Sequence, residues 1–183
     1  ELRKHSFAIY SFGKVFNHTG LKIGYCIAPP DFTKAFRRIH QFLCFSVNTP
    51  AQYAIATYLS QPRLPDVAKM MQQKRDYFLD LLKKTPFKIY GPAAGSYFQT
   101  VSYEQISDMP DREFAEYLTK EYGVATIPIS AFYLGKKDDK LIRLCFAKKE
   151  ETLAKAVDRL SKLQPMVINT HSSALLSGLT PQG

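Results

Sequence analysis

Two periodicities alternate along the chain. Short stretches rich in apolar and β-forming residues occupy positions 7–10, 23–28, 87–90, 97–103, 124–127 and 141–146, mostly bounded by glycine, proline or polar residues. Such short runs predict strands. Between them, apolar residues recur every three or four positions, the spacing of one helix face. Phe32, Phe36, Ile39 and Leu43 form one such stripe, with Arg37, Arg38 and Gln41 off it, after a break at Pro29-Pro30 and with Asp31 as the predicted cap. Ala51, Ala54, Ile55 and Tyr58 form a second, opened by Asn48 or Thr49 as cap and by Pro50 in the first turn. A longer helix is predicted over 66–84, with Val67, Met70, Met71, Tyr77, Phe78, Leu81 and Leu82 as its apolar positions. Asp111 is the predicted cap of a helix bearing Phe114, Leu118 and Tyr122, and Gly123 its stop. A last helix from about residue 149 carries Leu153, Val157, Leu160 and Leu163. Strands interleaved with helices predict an α/β chain. From residue 164 the pattern dissolves into small and polar residues, read as an extended tail without function.

Composition narrows the function. Of the 183 residues 45% are hydrophobic and 13% aromatic, enough for a packed core. No apolar run is long enough for a transmembrane helix, and the charged start, Glu1-Leu2-Arg3-Lys4-His5, does not resemble a signal peptide. The start also lacks a methionine and opens almost at once into a strand, so the chain is expected to be cut from something longer. The net charge of +9 is spread over scattered pairs such as Arg37-Arg38 and Lys148-Lys149, with no nucleic-acid motif, so solvated surface is expected and not a nucleic-acid partner. Cys26, Cys44 and Cys145 lie among apolar neighbours without metal or disulfide spacing, and the four histidines have no metal spacing. This predicts a reducing, cytoplasmic compartment and no bound metal.

The chemistry concentrates between the first two predicted strands. Ser11-Phe12-Gly13-Lys14 leads to Thr19-Gly20-Leu21-Lys22-Ile23-Gly24, with the Ser11 hydroxyl, two amines and three glycines on a strand-loop-strand unit. A lysine packed beside strands would lose hydration, which disfavours its charged form and makes its amine a nucleophile toward an aldehyde. Ser11 and Lys22 would offer a hydrogen bond and a positive charge to a phosphate monoester. By itself the pattern is weak, and a glycine-rich turn with solvated lysines fits it better than a cofactor site. Read whole, Ser-Phe-Gly-Lys-Val-Phe-Asn-His-Thr-Gly-Leu-Lys-Ile-Gly-Tyr-Cys-Ile-Ala-Pro resembles the cofactor-lysine region of class I/II, fold type I aminotransferases. The methionine aminotransferase branch is nearest and the kynurenine aminotransferases next. The resemblance implies that Lys14 forms the Schiff base with pyridoxal 5'-phosphate and that Ser11 and Lys22 hold its phosphate. Many relatives have arginine where Lys22 stands, so bidentate geometry is lost and the charge kept.

Arg143 interrupts an otherwise apolar run. It could occupy an exposed alternate position, pair with Glu150, or bind the α-carboxylate of a substrate through two parallel hydrogen bonds. Leu-Ile-Arg-Leu-Cys-Phe-Ala-Lys-Lys-Glu-Glu-Thr-Leu resembles the family segment that holds the carboxylate-binding arginine, and Gly95-Ser96-Tyr97-Phe98 and Thr49-Pro50-Ala51-Gln52 also match family patterns. The bulky Ile129, where many relatives have glycine, again fits the methionine branch.

The resemblance implies the C-terminal part of a fold type I enzyme. Its expected organisation is a remnant of the large cofactor-binding domain at 1–47, connecting helices at 48–84, a small α/β domain at 85–164 and a tail at 165–183. The implied activity moves the amino group of methionine or an aromatic amino acid to a 2-oxo acid, in a homodimer. In the family the aspartate, stacked ring, asparagine and tyrosine that complete the cofactor site lie upstream of the lysine, so the chain alone is expected to be a poor catalyst. A pyridoxal-phosphate β-lyase, or a non-catalytic interaction domain, remains as an alternative.

Overall fold

The structure, a computed structural model, describes residues 1–135 and 137–166; the expected tail therefore falls outside the described residues from 167 onward. The chain divides into two compact units, Glu1–Val67 and from Ala68 onward.

In the first unit, β1 (Ala8–Ser11) pairs antiparallel with β2 (Gly24–Ile27), Ala8 opposite Ile27 and Ser11 opposite Gly24. Their connection is not the open loop predicted. It contains a helical turn, α1 (Phe12–Val15), and a 3-10 turn, Thr19–Leu21. α2 (Pro30–Leu43) and α3 (Thr49–Leu59) follow. Asp31 does not cap α2: Pro29 occupies that position, and Asp31 lies in the first turn, where its charge faces the positive end of the helix. Asn48 does cap α3, its side-chain oxygen accepting from the Ala51 amide at 3.0 Å. The core of this unit is small: Ile23, Ala51 and Ile55, with Phe12 and Val47 against them. Ala54, predicted for the inner stripe, is exposed. The stripe on α2 is also largely open, with Ile39 60% and Leu43 81% exposed. Periodicity decides which residues share a face; it does not decide whether anything covers that face.

In the second unit, α4 (Val67–Leu82), α5 (Asp111–Tyr122) and α6 (Glu150–Leu160) accompany an antiparallel sheet of β3 (Phe98–Ser102), β4 (Ile127–Pro128) and β5 (Leu141–Cys145), in the order β3-β5-β4. One sheet face is buried through Val101, Ile142 and Leu144, which join Phe78, Leu82, Phe114, Leu118, Leu153, Val157 and Leu160 in one core. The opposite face, with Phe98, Thr100, Arg143 and Cys145, is half-buried to exposed. Strand alternation produces this split, and it puts Arg143 on the open side.

Two predicted strands shrink, both beside prolines. The run at 87–90 forms only a bridge, in which Lys88 and Ser102 exchange backbone hydrogen bonds of 3.0 and 2.9 Å. Pro86 and Pro92 flank it and have no N–H for a ladder. The run at 124–127 pairs only at Ile127–Pro128, because the Val124 amide turns back to the Leu118 carbonyl at 3.2 Å to close α5. Gly123 makes that closure in a left-handed conformation, φ +63°. Asp111 does not cap α5 either; Pro110 sits at the cap, and the buried Asp111 carboxylate reaches another segment. The pattern loss from residue 164 does not detach the chain at once: the Met166 amide donates to the Ile106 carbonyl at 2.7 Å. No helix among the described residues is long and apolar enough to cross a membrane.

Candidate active site

Ser11, Lys14 and Lys22 lie on the β1–β2 connection or at its edge. Ser11 ends β1, Lys14 sits in the α1 turn, and Lys22 follows the 3-10 turn with φ +54°. A non-glycine residue in the left-handed region costs about 1 kcal/mol or more, and such strain gathers at functional segments. All three side chains are exposed, and none has a hydrogen-bond or ion-pair partner among the described residues. The desolvation predicted for Lys14 is therefore not supplied by the strands beside it: Lys14 is exposed on a helical turn. The backbone of the connection is tight. The His18 amide donates to the Gly13 carbonyl at 2.8 Å, Phe12 donates to Ile23 at 3.1 Å, and a Cβ on Gly24 would run into the Tyr10 carbonyl.

Arg143 belongs to the second unit, on the central strand of its sheet, paired with Thr100 on one side and Ile127 on the other. Its guanidinium carbon lies 3.8 Å from the Phe98 ring centre and 4.7 Å from that of Phe132. Its buried Nε has no hydrogen-bond partner. The predicted alternative of a pair with Glu150 does not occur, and no carboxylate among the described residues pairs with Arg143. A guanidinium fixed by aromatic faces and free of internal acceptors is available to an external one.

Around it is a polar network that the sequence did not reveal. The Asp111 carboxylate, 2% exposed, accepts from the Ser130 amide at 2.7 Å and from its hydroxyl at 2.6 Å. Ser130 lies in the 3-10 turn Ile129–Phe132, which carries the second ring over Arg143. Asp138 accepts from the amides of Asp111 at 3.2 Å and Lys140 at 2.8 Å. Lys140 Nζ donates to the Asp108 and Met109 carbonyls, both at 2.8 Å. Phe98 was findable by strand parity with Arg143. Phe132 and Asp111 were not, since only tertiary folding brings them near β5.

Residues 2–160 match the family described as aminotransferase class I and II. The chain belongs to that family. Members of the aminotransferase family depend on pyridoxal phosphate and act on amino acids and 2-oxo acids. The chain is 46% identical, over 168 residues, to the methionine aminotransferase of Escherichia coli (strain K12), covering 89% of this chain and 42% of that protein. It is 38% identical to a kynurenine–oxoglutarate transaminase of Dictyostelium discoideum, covering 88% and 42%. The solved structure of YbdL from Escherichia coli, reported to have a methionine aminotransferase function, matches with a TM-score of 0.81 at 46% identity over 88% of this chain and 43% of that one. N-succinyldiaminopimelate aminotransferase from Mycobacterium tuberculosis matches with a TM-score of 0.75 at 30% identity, over 88% and 42%. The chain thus spans less than half the length of the aminotransferases it matches, and its mixed α/β architecture is that of fold type I enzymes.

Proposed function

We propose that this chain serves the pyridoxal-phosphate-dependent transfer of an amino group from methionine or an aromatic amino acid to a 2-oxo acid. The substrate class follows what the relatives' names state, methionine and kynurenine transamination. The observation that carries the reading is the Arg143 guanidinium, held over two rings on the open face of the sheet with no carboxylate partner among the described residues.

The residues of the β1–β2 connection fit the cofactor. They present two amines and a hydroxyl, without partners among the described residues, on a segment where the absence of a Cβ at Gly24 permits a close backbone approach. In this reading Ser11 would donate a hydrogen bond to the phosphate and Lys22 would neutralise its charge. When bound, pyridoxal phosphate supplies the electron sink for charge developing at the substrate Cα. With the cofactor in place, Lys14 Nζ would be the group that anchors its aldehyde and the amine that holds the substrate Cα proton. Arg143 binds the substrate carboxylate with two parallel hydrogen bonds, which fixes the direction of the Cα–H bond. A homodimer and a cytoplasmic location belong to the same reading; free thiols at Cys26, Cys44 and Cys145 suit a reducing compartment.

Mixing the chain with pyridoxal phosphate tests the anchor. The expected result is a near-visible absorbance band absent from Lys14→Ala. Equal spectra for wild type and variant would remove Lys14 from its role.

A further inference from the structure

The rings beside Arg143 come from the segments on either side of its strand. Phe98 is on β3, on the same sheet face as Arg143, since Thr100 pairs with Arg143 and Phe98 with Cys145. Phe132 follows β4, whose Ile127 pairs with Arg143 from the other side. A guanidinium stacked on an aromatic face keeps its N–H groups in its own plane and free for acceptors, while the stack restrains the orientation of that plane. The buried Nε fits this: among the described residues it has no hydrogen-bond partner, and the rings are what restrain the group.

Phe132 is 59% exposed, so no core packing explains its position. What fixes its turn is Asp111, a buried carboxylate that spends both oxygens on Ser130, two residues earlier. A buried charge is costly unless fully hydrogen-bonded, so the pairing of Asp111 and Ser130 holds the 3-10 turn against α5.

We propose that Phe98 and Phe132 are positioning residues that aim the Arg143 fork at a ligand carboxylate, and that Asp111, through Ser130, sets Phe132 in place. The proposal rests on the reading of Arg143 as the carboxylate-binding group. A cation–π contact at a partly desolvated site corresponds to a change of about three- to tenfold in an equilibrium constant. The fork loses alignment without it, so carboxylate affinity falls by that factor.

The test is an NMR titration of the whole chain with hexanoate, a plain monocarboxylate, following the Arg143 Nε–H signal. In the wild type the signal is expected to be displaced by ring currents and to move on titration. Phe132→Ala is expected to weaken hexanoate binding about three- to tenfold, Phe132→Leu to behave as Phe132→Ala, and Phe132→Tyr to restore it. Because Phe132 is exposed, these variants leave the core intact. Ser130→Ala, milder than replacing Asp111, is expected to shift the Arg143 signal in the direction seen for Phe132→Ala. Wild-type affinity in both Phe132→Ala and Phe132→Leu would overturn the proposal. So would a wild-type Arg143 signal indifferent to hexanoate, even where Lys14-dependent absorbance with pyridoxal phosphate persists. A Phe132-dependent response without that absorbance would leave the positioning role standing and sink the cofactor reading instead.

Discussion

Tyr103 shows how one buried polar group ties stability to pH. Its side chain is fully buried, stacked 4.1 Å from Phe114, and its phenol donates to the Met109 carbonyl at 2.9 Å. Burial, and then the nearby Asp138 and Asp111 carboxylates, push its ionisation far above the ordinary phenol range. The folded phenol therefore keeps its proton at a pH where the unfolded one has lost it. That contribution is complete below about pH 10 and is lost as the pH rises above it. Tyr103→Phe is expected to lower stability by about 1 kcal/mol at neutral pH, through loss of the hydrogen bond. The gap between wild type and variant is expected to shrink above about pH 10 in urea unfolding. A gap constant through alkaline pH would show that the phenol does not couple to folding.

At the scale of elements, what ends and fastens each segment matters more than propensity. α3 is short, contains Tyr53, Ile55, Thr57 and Tyr58, and buries only Ala51 and Ile55, so its cap carries a large share of its stability. Asn48→Ala removes the side-chain acceptor for the Ala51 amide and is expected to cost about 1 kcal/mol, seen as a lower unfolding midpoint of the first unit and faster amide exchange at Ala51 and Gln52. Asn48→Asp is expected to retain most of the stability. An unchanged exchange rate in Asn48→Ala would show that the cap bond adds nothing. α5 contrasts with it. Its first-turn aspartate, which a sequence pattern assigns to capping, is diverted to Ser130, and the helix is held by Phe114 and Leu118 in the core.

Across the whole molecule, the two units differ in how much they bury. The core of the second runs through α4, β3, α5, β5 and α6; the core of the first consists of three residues. Phe42 and Phe45 near the end of α2 are more than four-fifths exposed, a concentration of open apolar surface that isolated exposed residues do not produce. Local stability follows buried contacts. Backbone amides of Val101 and Ile142 are therefore expected to exchange at least about tenfold more slowly than those of Tyr25 and Ile27, a difference of about 1.4 kcal/mol or more in opening free energy. Comparable protection in β2 would show that side-chain burial does not set the opening energies here.

The sequence by itself determined the order of helices and most strands, the residues sharing each face, and the two segments that carry the family likeness, because period and turn chemistry are local and the chain states them directly. It overran at 87–90 and 124–127, where pairing had to extend beside prolines or compete with the closure of α5. It gave Arg143 as a charge in an apolar run but left open whether that charge met Glu150, solvent or a ligand. Only the tertiary structure decided that two rings from flanking segments hold the guanidinium, that Asp111 serves a distant turn and not its own helix, and that Lys14 is exposed. Those outcomes depend on which side chains from remote positions arrive at one place, and no local pattern encodes an encounter between residues far apart in the chain.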